Sequence, residues 1–346
     1  MVPGSWNVTE NMTSARDFQK STFIVASNSV LIVGGSDGSV ALSLTETFLS
    51  SNGSFLRLGN TSAIRRFHTV DRLNDRIVVI AGGWSSPLTA ELYNALAGVS
   101  NVTISLSAAR AEHASSLIND GSNATTKLLL VGGLDGTGTL DTGDVFHTTT
   151  GVFTAVSNNM TSTRCYHTAT AIGNGYVLLA DGVNNNTVAL DSLELYNSSS
   201  NLFVPLSARM STGRSHHTAT YIPSIQAVLF VGGLSQPGVL QTYDLFNVST
   251  FTFAVLNAST LNARAYHTAT LLLDEQVLIV GGQDILRLSS CELYSPITRT
   301  FTTVANMSTD RADHASTLLA NTGQVLVCGG ENQNGTVLNS CELYQP

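Results

Sequence analysis

Short stretches of consecutive apolar residues recur along the chain, each closed by a pair of small residues. Val277-Leu-Ile-Val280 is typical. The closing pairs are Gly34-Gly35, Gly82-Gly83, Gly132-Gly133, Asp181-Gly182, Gly232-Gly233, Gly281-Gly282 and Gly329-Gly330. A run this short and apolar on both faces reads as a β-strand sandwiched between two neighbours. In front of each run stands a Ser/Thr/Ala-rich segment, of which His267-Thr-Ala-Thr-Leu-Leu-Leu273 is representative. Behind it come a loop of variable length and an acidic residue, usually within Glu-Leu-Tyr: Glu46, Glu91, Asp144, Glu194, Asp244, Glu292 and Glu342. A last segment surrounds an aromatic, Phe55, Phe153, Phe203, Phe253 or Phe301, with Val102 or Ile104 in that place in the second unit. Each unit therefore predicts four strands of about 4–8 residues bounded by turn residues.

The glycine pairs are 48, 50, 49, 51, 49 and 48 residues apart. A period of about 50 built from short strands is the signature of a β-propeller. The expected fold is all-β, a seven-bladed propeller with four antiparallel strands per blade, taking up residues 1–346 as a single domain. The seventh unit stops at Glu342-Leu-Tyr-Gln-Pro346 without its aromatic strand, and Trp6-Asn-Val-Thr-Glu-Asn-Met12 matches Phe301-Thr-Thr-Val-Ala-Asn-Met307. Residues 1–12 are thus expected to complete the last blade, a closure that removes exposed sheet edges.

Each unit opens with Arg-x-x-His: Arg65/His68, Arg110/His113, Arg164/His167, Arg214/His217, Arg264/His267 and Arg311/His314, with Arg16 followed by Gln19 in the first. Seven arginines and seven carboxylates in phase imply one buried Arg–carboxylate pair per blade, within it or across to the next. Taken together, Arg-x-x-His, Gly-Gly, Glu-Leu-Tyr and the trailing aromatic resemble the Kelch motif over the whole chain. The units are similar to those of bacterial Kelch proteins and of the galactose oxidase propeller domain. That resemblance implies a fold and no single activity, because such propellers serve as enzymes, adhesins and adaptor platforms.

Charge is sparse: 12% of residues are charged, the net charge is −8, and the only lysines are Lys20 and Lys127 against fourteen arginines. Half of those arginines belong to the repeat, so no basic stripe is available and nucleic acid is not an expected partner. No run of 18 apolar residues occurs, so membrane insertion by a helix is not expected. Thirteen Asn-x-Ser/Thr sequons occur: Asn7, Asn11, Asn52, Asn60, Asn101, Asn123, Asn159, Asn185, Asn197, Asn247, Asn257, Asn306 and Asn334. Asn11, Asn60, Asn159 and Asn306 each stand five residues before a repeat arginine, which would put glycans on one face of the ring. The expectation is a secreted, extracellular N-glycoprotein, although the chain as given carries no secretory signal. Cys328 and Cys341 fall on adjacent strands of the seventh blade, where a cross-strand disulfide is conceivable in an oxidising compartment.

Repetition argues against a metal ring of histidines, since like groups on seven blades cannot converge on one ion; bonding to strand backbone is the expected role. The copper site that galactose oxidase builds from tyrosine and histidine has no counterpart here outside the repeat. The tyrosines Tyr93, Tyr196, Tyr294 and Tyr344 are repeat-phased and expected to pack between blades. No catalytic residue, cofactor or metal is expected. Apolar residues in the turns after the glycine pairs, Trp84, Leu134, Leu234 and Ile285, are the candidates for a binding rim, with Trp84 as anchor. The expected function is a non-catalytic binding or structural module for a protein or glycan ligand. A subunit that self-assembles into an oligomer or polymer is an alternative. So is a secreted carbohydrate-active or oxidase-type enzyme with its site at the axial channel, which a cluster of unlike polar groups at one channel mouth would favour.

Overall fold

The computed structural model describes residues 4–118, 127–185, 187–236, 238–254 and 259–346. They form seven four-stranded antiparallel sheets, with each strand beside its sequence neighbour. Blade four is representative: Thr168–Gly173, Tyr176–Ala180, Ser192–Asn197 and Leu202–Arg209, from axis to rim. The first strand of every blade touches the first strand of the next, from blade one round to blade seven and back, so the sheets stand radially about an axial channel. The last blade is closed by Ser5–Val8, which pairs antiparallel with Cys341–Gln345, Trp6 opposite Tyr344. Trp6 Nε1 also donates to Ala305 O of blade six (2.7 Å).

Strand lengths depart from the expected range at two outer positions, Ser54–Arg65 with 12 residues and Thr252–Phe253 with 2. In blade two Ser100 stands opposite Tyr93, where blade six has Phe301 opposite Tyr294. A register shift follows, which buries Ile104 and leaves Val102 half exposed.

The core explains the two-sided apolar runs. Seven hydrophobic clusters fill the seven junctions between blades, and alternate residues of one strand serve different junctions. Leu129 and Val131 pack against Val177 and Leu179 of blade four, while Leu128 and Leu130 pack against Val79 and Ala81 of blade two. The repeat tyrosines are buried at these junctions, and Tyr93 Oη bonds Thr45 Oγ1 of blade one (2.6 Å).

The Arg–carboxylate pairs lie within blades: Arg16–Glu46, Arg65–Glu91, Arg110–Asp144, Arg164–Glu194, Arg214–Asp244, Arg264–Glu292 and Arg311–Glu342. Each guanidinium also donates to the carbonyl of the first residue of the closing pair, as Arg264 does to Gly281 O (2.7 Å), which adds a second acceptor to the buried ion pair. The first glycine of the pair is required sterically as well as conformationally. A Cβ on Gly232, at φ +59°, would lie 2.2 Å from Arg264 O. Blade four breaks the rule with Asp181, at φ +61°, whose carboxylate is wholly buried 3.8 Å from Arg214 Nε.

Backbone bonding, the expected role of the histidines, is found at His68 with Val33 and at His314 with Arg311, while four of the six bond the preceding blade's first strand through a side chain. Nε2 of His113, His217, His267 and His314 meets the hydroxyl of Thr69, Thr168, Thr218 and Thr268 at 2.9–3.1 Å. Where that position is Ala114, the following His167 has no partner for either ring nitrogen among the described residues, and where it is Lys20, His68 is left with the backbone of Val33. Burial holds all these imidazoles neutral, well below the ordinary histidine pKa. Cys328 and Cys341 stand opposite each other in register and are joined as a disulfide, while Cys165 and Cys291 are free and buried.

Candidate ligand-binding mouth of the axial channel

The residue two places after each repeat arginine has a left-handed backbone. Phe18, Phe67, Glu112, Tyr166, His216, Tyr266 and Asp313 have φ between 51° and 57°, and none is glycine. Such residues cost of order 1 kcal/mol each unless the surroundings hold them. Here a belt of backbone bonds between blades holds them. The N–H of each of Phe18, Glu112, Tyr166, His216, Tyr266 and Asp313 donates to the carbonyl of the equivalent residue one blade back, at 3.0–3.3 Å. The left-handed turn directs the side chains over one end of the channel, where all seven line a cavity of about 370 Å³.

Side chains around this mouth are unlike one another. Phe18 and Phe67 form one aromatic wall, ring centroids 4.4 Å apart. Tyr166, His216 and Tyr266 form another, with His216 stacked between the tyrosines at 4.0 and 4.4 Å. Glu112 and Asp313 occupy the two seams between the walls in the order of the blades. Glu112 Oε1 accepts Trp84 Nε1–H (3.0 Å), while its Oε2 is buried without a partner. Asp17, beside Phe18, has Oδ1 in the same condition. On the other side of Asp313, Glu331 is bound by Arg287 (2.7 Å).

Burial sets the electrostatics of the mouth. It pushes the Asp313 carboxyl up to about 7, with Arg287 opposing and Asp17 and Glu331 adding repulsion. Asp17 is raised to about 6 by burial and by Glu331. His216 is lowered to about 4 by burial, so its ring is a neutral aromatic surface at physiological pH. The Tyr166 hydroxyl is raised by burial and by its hydrogen bond to Glu112. Beneath the mouth the wall is mostly Ala, Ser and Thr, interrupted by Lys20 and Asp71.

Of the apolar turn residues, Trp84 is half exposed on this face and joined to the mouth through Glu112. Ile285 is exposed farther out on the same face, in the turn after Gln283. Leu134 and Leu234 are only partly exposed, held in bridges to Ala111 and Ser215. The ring itself escaped the sequence reading because attention fell on the constant positions of Arg-x-x-His. The signal was the variable position inside that constant frame. His216, which had no visible partners in sequence, lies at the centre of the aromatic wall.

The four phased asparagines are exposed, Asn11, Asn159 and Asn306 on the loops that lead into the mouth and Asn60 within the long strand Ser54–Arg65. Their phase has a structural source. The sequon's hydroxyl residue donates its backbone N–H to the blade carboxylate: Thr13 to Glu46, Ser62 to Glu91, Thr161 to Glu194 and Ser308 to Glu342. Asn52, Asn197 and Asn247 lie toward the opposite face, Asn7 and Asn101 on outer strands, and Asn185 and Asn334 in turns on the mouth face. Asn123 and Asn257 lie outside the described residues.

With seven blades closed and the repeat accounted for residue by residue, comparison with known proteins agrees. The family model described as the Kelch motif matches residues 264–308, within one of the seven equivalent units. The chain is a seven-bladed β-propeller that carries a Kelch motif. No curated protein matches it in sequence. Among solved structures it is similar to one titled "Novel fungal alcohol oxidase with catalytic diversity among the AA5 family, in complex with copper", with a TM-score of 0.80 at 14% identity, covering 100% of this chain and 77% of that one. At that identity the likeness is one of fold. The mouth's own donors do not fit a copper ion as arranged. His216 stacks on Tyr166 and lies tilted beside Tyr266, and its Nδ1 is engaged with Ser215 Oγ at 3.1 Å. Among the described residues no group of three or more His, Cys, Asp and Glu side chains is placed to hold a metal ion.

Proposed function

We propose that this Kelch propeller is a binding module, and that its ligand is a neutral, hydroxyl-rich ring such as the terminal sugar of a glycan, held in the mouth of the channel. One observation carries the reading: two aromatic walls stand apart with carboxylates at both seams of the cavity. Aromatic faces suit the C–H faces of a pyranose, and carboxylate oxygens accept its hydroxyl protons. A cation is the poorer fit because the Lys20 ammonium lies below. Exposed apolar side chains farther out on the same face, Val40, Leu88, Val188 and Ile285, suit the rest of a larger partner. The disulfide supports a secreted, extracellular setting.

The test is binding of mono- and oligosaccharides followed by ligand-observed NMR and calorimetry. Wild type is expected to bind at least one sugar, with Glu112→Gln or Tyr166→Ala weakening it about tenfold or more. Binding that is unchanged in both variants, or absent throughout, overturns the proposal. An oxidase-type enzyme at the same mouth is the second reading, favoured by the fold of the alcohol oxidase neighbour. Turnover of a bound sugar by copper-treated protein would replace the first reading with this one.

A further inference from the structure

Lys20 is the odd member of its own ring. At the position after the repeat histidine the other blades carry Thr69, Ala114, Thr168, Thr218, Thr268 and Ala315, all short. Lys20 alone extends a long side chain into the lumen, and it lines all three cavities along the axis, of about 370, 300 and 270 Å³. Its side chain is exposed to the water of the channel, with the inner strands of the ring around it. No hydrogen bond or ion pair among the described residues holds its ammonium; Asp313 and Asp71 act on it only at longer range. Enclosure favours the uncharged amine, against those two carboxylates.

We propose that Lys20 captures carbonyl compounds: an aldehyde that passes the mouth, such as a short hydroxyaldehyde or the open-chain form of a reducing sugar, condenses with Nζ to an imine. The inference deepens the reading above by taking the mouth as the way in. In the addition step the amine lone pair forms a C–N bond and a proton moves from nitrogen to the carbonyl oxygen, giving a carbinolamine. Its hydroxyl then leaves as water with a proton from the Asp313 carboxyl, and the nitrogen proton returns to Asp313. Amine and aldehyde become imine and water, with no change of oxidation state. Asp313 is half protonated near neutral pH, which suits a group that must give a proton and take it back. The imidazole of His68, near Lys20 and held neutral by burial, forms no ion pair with the amine.

The experiment treats the intact protein at pH 7 with glycolaldehyde and cyanoborohydride, which fixes any imine as a hydroxyethyl amine, and maps the product by peptide mass. Lys127, at the start of a second strand and away from the mouth, is the internal control. Labelling of Lys20 is expected to outrun that of Lys127 several-fold, because desolvation lowers the Lys20 amine pKa. Asp313→Asn is expected to slow it several-fold while leaving Lys127 unaffected. Lys20→Thr restores the residue of four other blades, so it is expected to fold and to lose the adduct. Equal or slower labelling at Lys20 overturns the proposal, as does an adduct that survives Lys20→Thr. Labelling at Lys20 without any sugar binding would sink only the sugar-binding function, and sugar binding without labelling only this inference.

Discussion

Ala114→Thr should stabilise the protein, by completing a bond that four other junctions make. Thr69, Thr168, Thr218 and Thr268 each meet the next blade's histidine Nε2 at 2.9–3.1 Å, and Ala114 leaves His167 with neither ring nitrogen engaged. A buried polar group without a partner costs about 1–3 kcal/mol, and a typical hydrogen bond contributes about 0.5–1.5 kcal/mol net. The added hydroxyl and methyl occupy space that the same backbone position supplies in four other blades, so overpacking is not expected. Expected gain is therefore about 1 kcal/mol. For a 346-residue chain an unfolding entropy of roughly 2.1 cal/mol/K per residue sums to about 0.7 kcal/mol/K, so this gain raises Tm by only ~1.4 °C. Urea unfolding followed by near-ultraviolet circular dichroism at fixed pH resolves it better, as a shift of midpoint at constant slope. Thr218→Ala is the mirror experiment and should cost about 1–3 kcal/mol. If Ala114→Thr is neutral and Thr218→Ala equally so, the histidine–threonine bond does nothing for stability and the account of the inner ring is wrong.

Three further outcomes are expected. Asp181→Gly restores the small residue of the other blades and should stabilise by about 1–3 kcal/mol. Because burial raises the Asp181 pKa above its unfolded value, the wild-type penalty is absent below about pH 4 and grows as pH rises, so the gain must be larger at pH 8 than at pH 4. Denaturation midpoints at the two pH values decide it, and a pH-independent gain contradicts the burial argument. Removing the disulfide with Cys328→Ala and Cys341→Ala, 13 residues apart, should cost about 3 kcal/mol by loop entropy, read by unfolding under non-reducing conditions. Sugar binding at the mouth should strengthen as pH rises from 5 to 8, since the Asp313 and Asp17 carboxyls, at about 7 and about 6, then become acceptors; Asp313→Asn should flatten the calorimetric profile, and an unchanged profile would exclude Asp313 from the site.

Architecture was legible because a repeat states its own boundaries. Glycine pairs, phased acids and the orphan segment around Trp6 demanded seven blades and a shared last one. Each of these follows from local rules: two-sided apolar strands need two neighbours, and a buried arginine needs a carboxylate. The partner of each arginine was left open between two blades, and only the coordinates place Glu46 with Arg16 and its six equivalents likewise. The histidine–threonine bonds are not legible in the sequence because the partner hydroxyls lie 44–49 residues earlier, on a strand of another sheet.

By itself, then, the sequence determined the number of blades, their strand order and the closure of the ring, all of which depend on periodicity along the chain. It did not determine the mouth. Phe18, Phe67, Glu112, Tyr166, His216, Tyr266 and Asp313 are far apart in the chain and chemically unrelated, and each sits in a frame that looks structural. Only the closed ring gathers them, because a shared left-handed turn at the same height on every blade directs seven different side chains to one axis. Symmetry of the backbone made the fold readable. Departure from that symmetry in the side chains makes the candidate site, and it acquires meaning only once the ring is closed.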